Sequence, residues 1–153
     1  MAIARGAGTE IIRCHHFEEV DDATTNLIVG VQHHIYTVLS IVIMAHAKQA
    51  VGNQLYLYLK GYDSKGGTSA VDMRIFEEVM PVSGTYVWND KFSFNGTEPA
   101  DFASGVIDAT KQDAIADQDP SNGSPVSQIL WINSQNAADD YDVHITFIDQ
   151  NNS

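Results

Sequence analysis

Two histidine pairs, His15-His16 and His33-His34, are the residues of this chain whose type most readily does chemistry. Imidazole changes charge near neutral pH and is the commonest protein ligand for transition metals. On an extended strand, neighbouring side chains point to opposite faces, so neither pair can hold one ion by itself. A site would need ligands from both pairs, or Cys14, brought together by strand pairing. Structural zinc sites also favour several cysteines, and the chain has one. Polar residues at strand edges and loops are the better reading of His15, His16, His33 and His34, with no metal or cofactor and no assigned role.

The oxygen donors give a second candidate. "DQDPSNGS" places Asp117, Asp119 and Asn122 close to Gly123, ligand types that suit calcium. The spacing departs from the EF-hand loop, and a solvated acidic loop explains it better. The carboxylate pairs Glu18/Glu19, Glu77/Glu78 and Asp139/Asp140 are adjacent in sequence, as solvated turns and strand ends often are. No G-x-S-x-G, H-E-x-x-H, phosphate-binding or dinucleotide-binding motif is present. A glycosidase can still assemble two carboxylates from distant strands, but the expectation is a protein that is not an enzyme.

The aromatic residues are more suggestive. If Leu55, Leu57 and Leu59 face a core, then Tyr56, Tyr58 and Tyr62 lie on the outside of a sheet with Lys60. Tyrosine joins apolar area to a polar tip and is enriched at interfaces, so these three are candidate subunit-interface residues. Trp88 and Trp131 could stack on sugars. Trp88 shares its strand face with Tyr86, Phe92 and Phe94, which favours a core position.

These residues are carried by strands. "LYLYLKGY", "YDVHITFI" and "GTYVWNDKFSFN" alternate large apolar with polar residues at period two, the signature of half-buried strands. In "VDMRIFEEV", Met73, Ile75 and Val79 are expected on one face, with Glu77 the exception. Further strands are expected at 10–20, 26–31, 102–108 and 128–133. The run "IYTVLSIVIMAHA" is apolar on both faces. Ile35, Leu39, Ile41 and Ile43 are read on one side and Tyr36, Val38, Val42 and Met44 on the other, as a central strand bent near Ser40. Turn chemistry in "VGN", "DSKGG", "PVSG", "NGTEP" and "DPSNGSP" separates the strands. The expected fold is all-β, an antiparallel β-sandwich or jelly roll of about eight strands. It would be one domain over 1–153, with an N-terminal arm at 1–9 and a long polar loop at 109–127.

Bulk properties narrow the partners. Twenty acidic residues against eight basic ones leave a net charge of -12, which argues against binding nucleic acid through its phosphates. The 13 residues from Ile35 to Ala47 fall short of the roughly 20 a membrane helix needs. No signal peptide is evident in "MAIARGAGTE", and a lone cysteine suits a reducing cytoplasm.

The order of elements resembles small β-sandwich virion proteins of tailed bacteriophages. The likeness rests on "YTV" at Tyr36–Val38, "SIVI" at Ser40–Ile43, the alternating strand Leu55–Leu59, the turn Pro81–Gly84, the "NG" turn Asn95–Gly96 and the closing strand "DVHITFID". The resemblance implies a capsid decoration or cement protein that stabilises the head through subunit contacts. Its partners would be the major capsid protein or other virion proteins, and it would form a homo-oligomer, with a trimer favoured. It would be assembled in the host cytoplasm and located on the capsid surface. The alternative is a carbohydrate- or receptor-binding β-sandwich of a phage tail, neck or fibre, marked by an exposed aromatic platform with Asp or Asn beside it.

Overall fold

A computed structural model describes residues 9–61, 71–97 and 127–151. These hold nine strands: β1 (Thr9–Val20), β2 (Thr25–Val29), β3 (His34–Ala47), β4 (Gln54–Gly61), β5 (Val71–Val79), β6 (Thr85–Trp88), β7 (Phe92–Asn95), β8 (Ile129–Ser134) and β9 (Asp140–Asn151). Tyr62, the expected strand at 102–108 and the oxygen donors Asp117, Asp119 and Asn122 lie outside the described residues. So does the expected loop at 109–127, except for Ser127, which bridges Thr97. No helix among the described residues is long and apolar enough to cross a membrane.

All pairings are antiparallel, and they nest. The partners are β1 with β9, β2 with β8, β3 with β6 and β7, and β4 with β5. That is one long hairpin, wound so that its limbs fall into two sheets, ordered β1-β9-β3-β6/β7 and β2-β8-β4-β5. The arrangement is a jelly roll. Counted as one interrupted strand, β6 and β7 bring the total among the described residues to eight.

The core is the space between the sheets. Leu55 and Leu57 of β4 meet Tyr141, Val143, Ile145 and Phe147 of β9, and Leu130 and Ile132 of β8 join them, all at most 1% exposed. Alternation in the sequence locates these rows correctly. Two rows are misplaced by it, each because of a β-bulge, which inverts side-chain parity beyond it.

In β3, Val38 pairs with Phe147 and Ser40 with Thr146, so Leu39 is an extra residue. The buried row is therefore Tyr36 and Val38 before the bulge and Ile41, Ile43 and Ala45 after it. Val42 and Met44 turn outward. The run looks apolar on both sides because the inward row changes parity partway along. The bend expected near Ser40 is this bulge.

In β5, Leu57 pairs with Phe76 and Tyr58 with Arg74, leaving Ile75 as the extra residue. Phe76 is the buried side chain, while Met73 and Val79 are 58% and 51% exposed. Ile75 is partly buried and packs against the core, but Met73 and Val79 do not form a core row with it.

Backbone closely joins the sheets at one end. Gly30 N–H donates to Gln128 O, Gln128 N–H to Gly96 O and Gly96 N–H to His34 O. A Cβ on Gly30 would sit 1.7 Å from Gly96 O, and one on Gly96 would sit 1.9 Å from Val31 O. At the other end Asp139, read from sequence as solvated, is 3% exposed. It accepts hydrogen bonds from Gln49 N–H and Asn53 Nδ2 and so ties the β3–β4 loop to the start of β9.

Gly30→Ala and Gly96→Ala are each expected to cost about 4 kcal/mol or more, at the extreme of single substitutions. Gly52→Ala, whose Cβ would meet nothing within 4 Å, should change stability by about 1 kcal/mol at most; urea denaturation of the three variants checks this. A second test uses Tyr141, whose phenol is pushed up to about 12 by burial and the nearby Asp139 carboxylate. A folded value above the ordinary 10.0 favours the neutral phenol in the fold. The resulting stability is whole below that ordinary value and drains away as pH climbs toward 12. Titration of tyrosinate absorbance should show a late component that Tyr141→Phe removes.

Candidate functional site

The outer face of the second sheet carries the best-organised set of exposed side chains. Because Leu55 and Leu57 point inward, Tyr56 and Tyr58 stand on the opposite face of β4. Trp131 of β8 and Arg74 of β5 are the direct cross-strand neighbours of Tyr58, one on each side. Directly opposed side chains in a sheet lie close enough to interact as pairs, and here they form a ladder. The Tyr58 and Trp131 rings stack with centroids 4.1 Å apart and planes inclined by 14°. The Arg74 guanidinium lies 4.6 Å from the Tyr56 centroid and 5.3 Å from that of Tyr58.

Polar contacts hold each member in place. Arg74 Nη2 donates to the Tyr58 hydroxyl at 3.0 Å and Nη1 to Glu77 Oε2 at 2.6 Å. Both partners push the guanidinium pKa upward, hydrogen bonding to Glu77 first. Trp131 Nε1 donates to Asp72 Oδ1 at 2.9 Å. The Tyr56 hydroxyl donates to Gln54 Oε1. The parity change at Ile75 puts Asp72 and Arg74 on one side of the bulge and Glu77 on the other, yet all three end on this face. Arg74, Asp72 and Glu77 were not singled out by sequence as companions of the tyrosines. Their cross-strand register, which the bulge sets, was the missing information.

Trp88, on β6 of the first sheet, packs against the core with its ring centroid 5.6 Å from that of Phe76. Of the two tryptophans, only Trp131 stands on an outer face.

Strand pairing separates the histidine pairs by face. His15 points into the cleft between β1 and β2, where Nδ1 meets Leu27 O at 2.9 Å. His16 points outward beside His144 and Glu18. His33 occupies the turn before β3 with φ of 64°, and His34 pairs with the buried Asp149. Cys14 is exposed on the outer face of the first sheet, with its sulfur near the Thr146 hydroxyl. Among the described residues, no three His, Cys, Asp or Glu side chains are grouped to hold a metal ion. Glu77 is half exposed in its ion pair with Arg74. Glu78 lies on the opposite face of β5, where Tyr86 donates to it.

No family model matches the sequence, and no curated protein matches it. Among solved structures, the chain is similar to one from the disulfide-linked pili of Bacillus endospore appendages, with a TM-score of 0.43 and 10% identity over 100% of this chain and 97% of that one. A chain of the T13 IBDV viral particle gives a TM-score of 0.40 and 9% identity over 99% of this chain. A chain of the T=1 particles derived from infectious bursal virus gives 0.39 and 9%, again over 99%. This chain spans 37% and 38% of the length of those two virus chains.

The Tyr58–Trp131 contact gives a direct test of the ladder. A double-mutant cycle with Tyr58→Ala and Trp131→Ala should return a coupling of about 0.5–1.5 kcal/mol, the range for stacked aromatic pairs. Denaturation midpoints of the two single variants, the double variant and the parent provide it.

Proposed function

We propose that this chain is a non-enzymatic structural subunit of a tailed-bacteriophage virion, a capsid decoration or cement protein. In this reading it docks on the major capsid protein or another virion protein through the outer face of its second sheet, and it works as a homo-oligomer, with a trimer as the preferred state. The observation that carries the reading is the Trp131–Tyr58–Arg74 ladder on that face. Trp, Tyr and Arg are the residues most enriched at binding hot spots. Here they are ordered before any partner arrives, which lowers the entropy cost of association. Asp72, Glu77 and Arg74 provide charges of both signs around the rings, a pattern that selects a complementary surface.

The sequence resemblance at Tyr36–Val38, Ser40–Ile43 and Pro81–Gly84 supports the phage assignment. As an analogy of fold alone, jelly rolls serve both viral capsid and lectin domains, so the fold does not choose between them. Assembly in the host cytoplasm suits a chain with one cysteine.

A carbohydrate- or receptor-binding role in a tail, neck or fibre is the second reading, favoured by Asp72 beside the Trp131 indole. Stacking on a sugar needs an open ring face, and Tyr58 has Trp131 on one side and Arg74 on the other. That geometry favours a protein partner.

The protein should co-purify with intact particles, and its absence from them by mass spectrometry would overturn the reading. Trp131→Ala and Arg74→Glu should each weaken attachment to particles by at least about tenfold, equivalent to roughly 1.4 kcal/mol. Glycan-array binding that is lost in Trp131→Ala, without particle association, would select the second reading instead.

A further inference from the structure

The cleft between β1 and β2, at the open side of the sandwich, is a separate feature. It encloses about 210 Å³ and is lined by Arg13, His15, His34 and Asp149, with Val29, Val31 and Phe147 among its apolar walls. Roughly 10–15 Å³ on the same scale admits one water, so several non-hydrogen atoms fit. The aromatic floor is continuous: His15 lies edge-on to Phe147 at 5.0 Å, Phe147 meets Tyr36 at 5.9 Å, and Tyr36 stacks with His34 at 6.0 Å.

Asp149 organises the polar end. It is 4% exposed, with one oxygen accepting from Arg13 Nε at 2.8 Å and the other from His34 Nδ1. A buried carboxylate needs such partners. What remains unspent is informative. Arg13 meets Asp149 through Nε, which leaves its two terminal nitrogens outside that ion pair. His15 Nδ1 faces a carbonyl and His34 Nδ1 faces a carboxylate, so both carry their proton there. In the neutral ring Nε2 is then an acceptor, so the donors left for a ligand are the terminal N–H groups of Arg13.

We propose that this cleft binds a small organic monocarboxylate with a short apolar tail. The Arg13 fork matches a planar carboxylate through two parallel N–H···O bonds. The tail would cover Val29 and Val31, which are 50% and 51% exposed. Asp149 limits the charge of the ligand. Arg13 and Asp149 already neutralise one another, so the cleft holds no surplus positive charge, and a ligand with one negative charge is tolerated better than a phosphate dianion. The inference is independent of the proposed virion role, because the cleft lies between the sheets and the ladder lies on an outer face.

The test is an NMR titration of the full chain at pH 7 with sodium butyrate, using sodium chloride at equal ionic strength and inorganic phosphate as controls. The His15 and His34 ring signals should shift saturably with butyrate, with a Kd on the order of 1 mM. Arg13→Gln should raise that Kd at least about tenfold, and Arg13→Lys, which keeps the charge but loses the planar fork, at least about threefold. Trp131→Ala should leave it unchanged. Equal shifts with chloride would overturn the proposal, and equal shifts with phosphate would overturn the assignment to carboxylates. Retention of the parent affinity by Arg13→Lys would also overturn it, and that variant decides the matter if Arg13→Gln does not fold.

Discussion

Strand β3 is hydrogen-bonded along both of its edges, to β9 on one side and to β6 and β7 on the other. The remaining elements take their places from that ladder. A strand held on both sides cannot slip without breaking two sets of hydrogen bonds, so its inward row must match the core along its whole length. The extra residue at Leu39 lets it do so while changing direction. Tyr36 and Val38 before the bulge, and Ile41, Ile43 and Ala45 after it, all reach the same interior. On the opposite edge, Asn89, Asp90 and Lys91 lie across from Leu39 and Ser40, and the partner strand breaks there into β6 and β7. The interruption in one strand thus accompanies the bulge in its neighbour.

The two ends of the sandwich are closed by different means. At one end, backbone hydrogen bonds join Gly30, Gly96 and Gln128, a close approach that Gly30 and Gly96 permit because neither carries a Cβ. At the other, Asp139 gathers donors from the β3–β4 loop. Asp149 extends the inward row of β9 beyond Phe147 and puts a carboxylate where an apolar side chain would otherwise stand. Arg13 and His34 keep that position tolerable, since an uncompensated buried charge typically costs about 3–5 kcal/mol. Core order and polar chemistry therefore meet on one strand, with the change occurring between Phe147 and Asp149.

Much of this was legible before any coordinates. The rows Leu55–Leu57 and Tyr141–Phe147 follow from period-two alternation, as do the outward positions of Tyr56 and Tyr58. The antiparallel sandwich follows from short strands separated by turn residues. The failures came at Leu39 and Ile75, where alternation was extended through a bulge. A bulge adds one residue without any distinctive composition, and both here are ordinary aliphatic residues. Asp139 was misread because the sequence around it looks like a polar turn, whereas its burial depends on Gln49 and Asn53 from a loop more than 80 residues away.

The sequence by itself determined the class of fold, the apolar rows away from bulges, the absence of a recognised catalytic motif and the acidic character of the chain. These depend on local alternation and composition, which a linear reading captures. Tertiary structure decided which residues meet across strands. It placed Trp131 and Arg74 on either side of Tyr58, separated His15 from His16, and brought Arg13, His34 and Asp149 together from three strands. Such contacts are set by pairing register, which depends on hydrogen bonding between segments far apart in the chain. A single inserted residue shifts that register for everything beyond it.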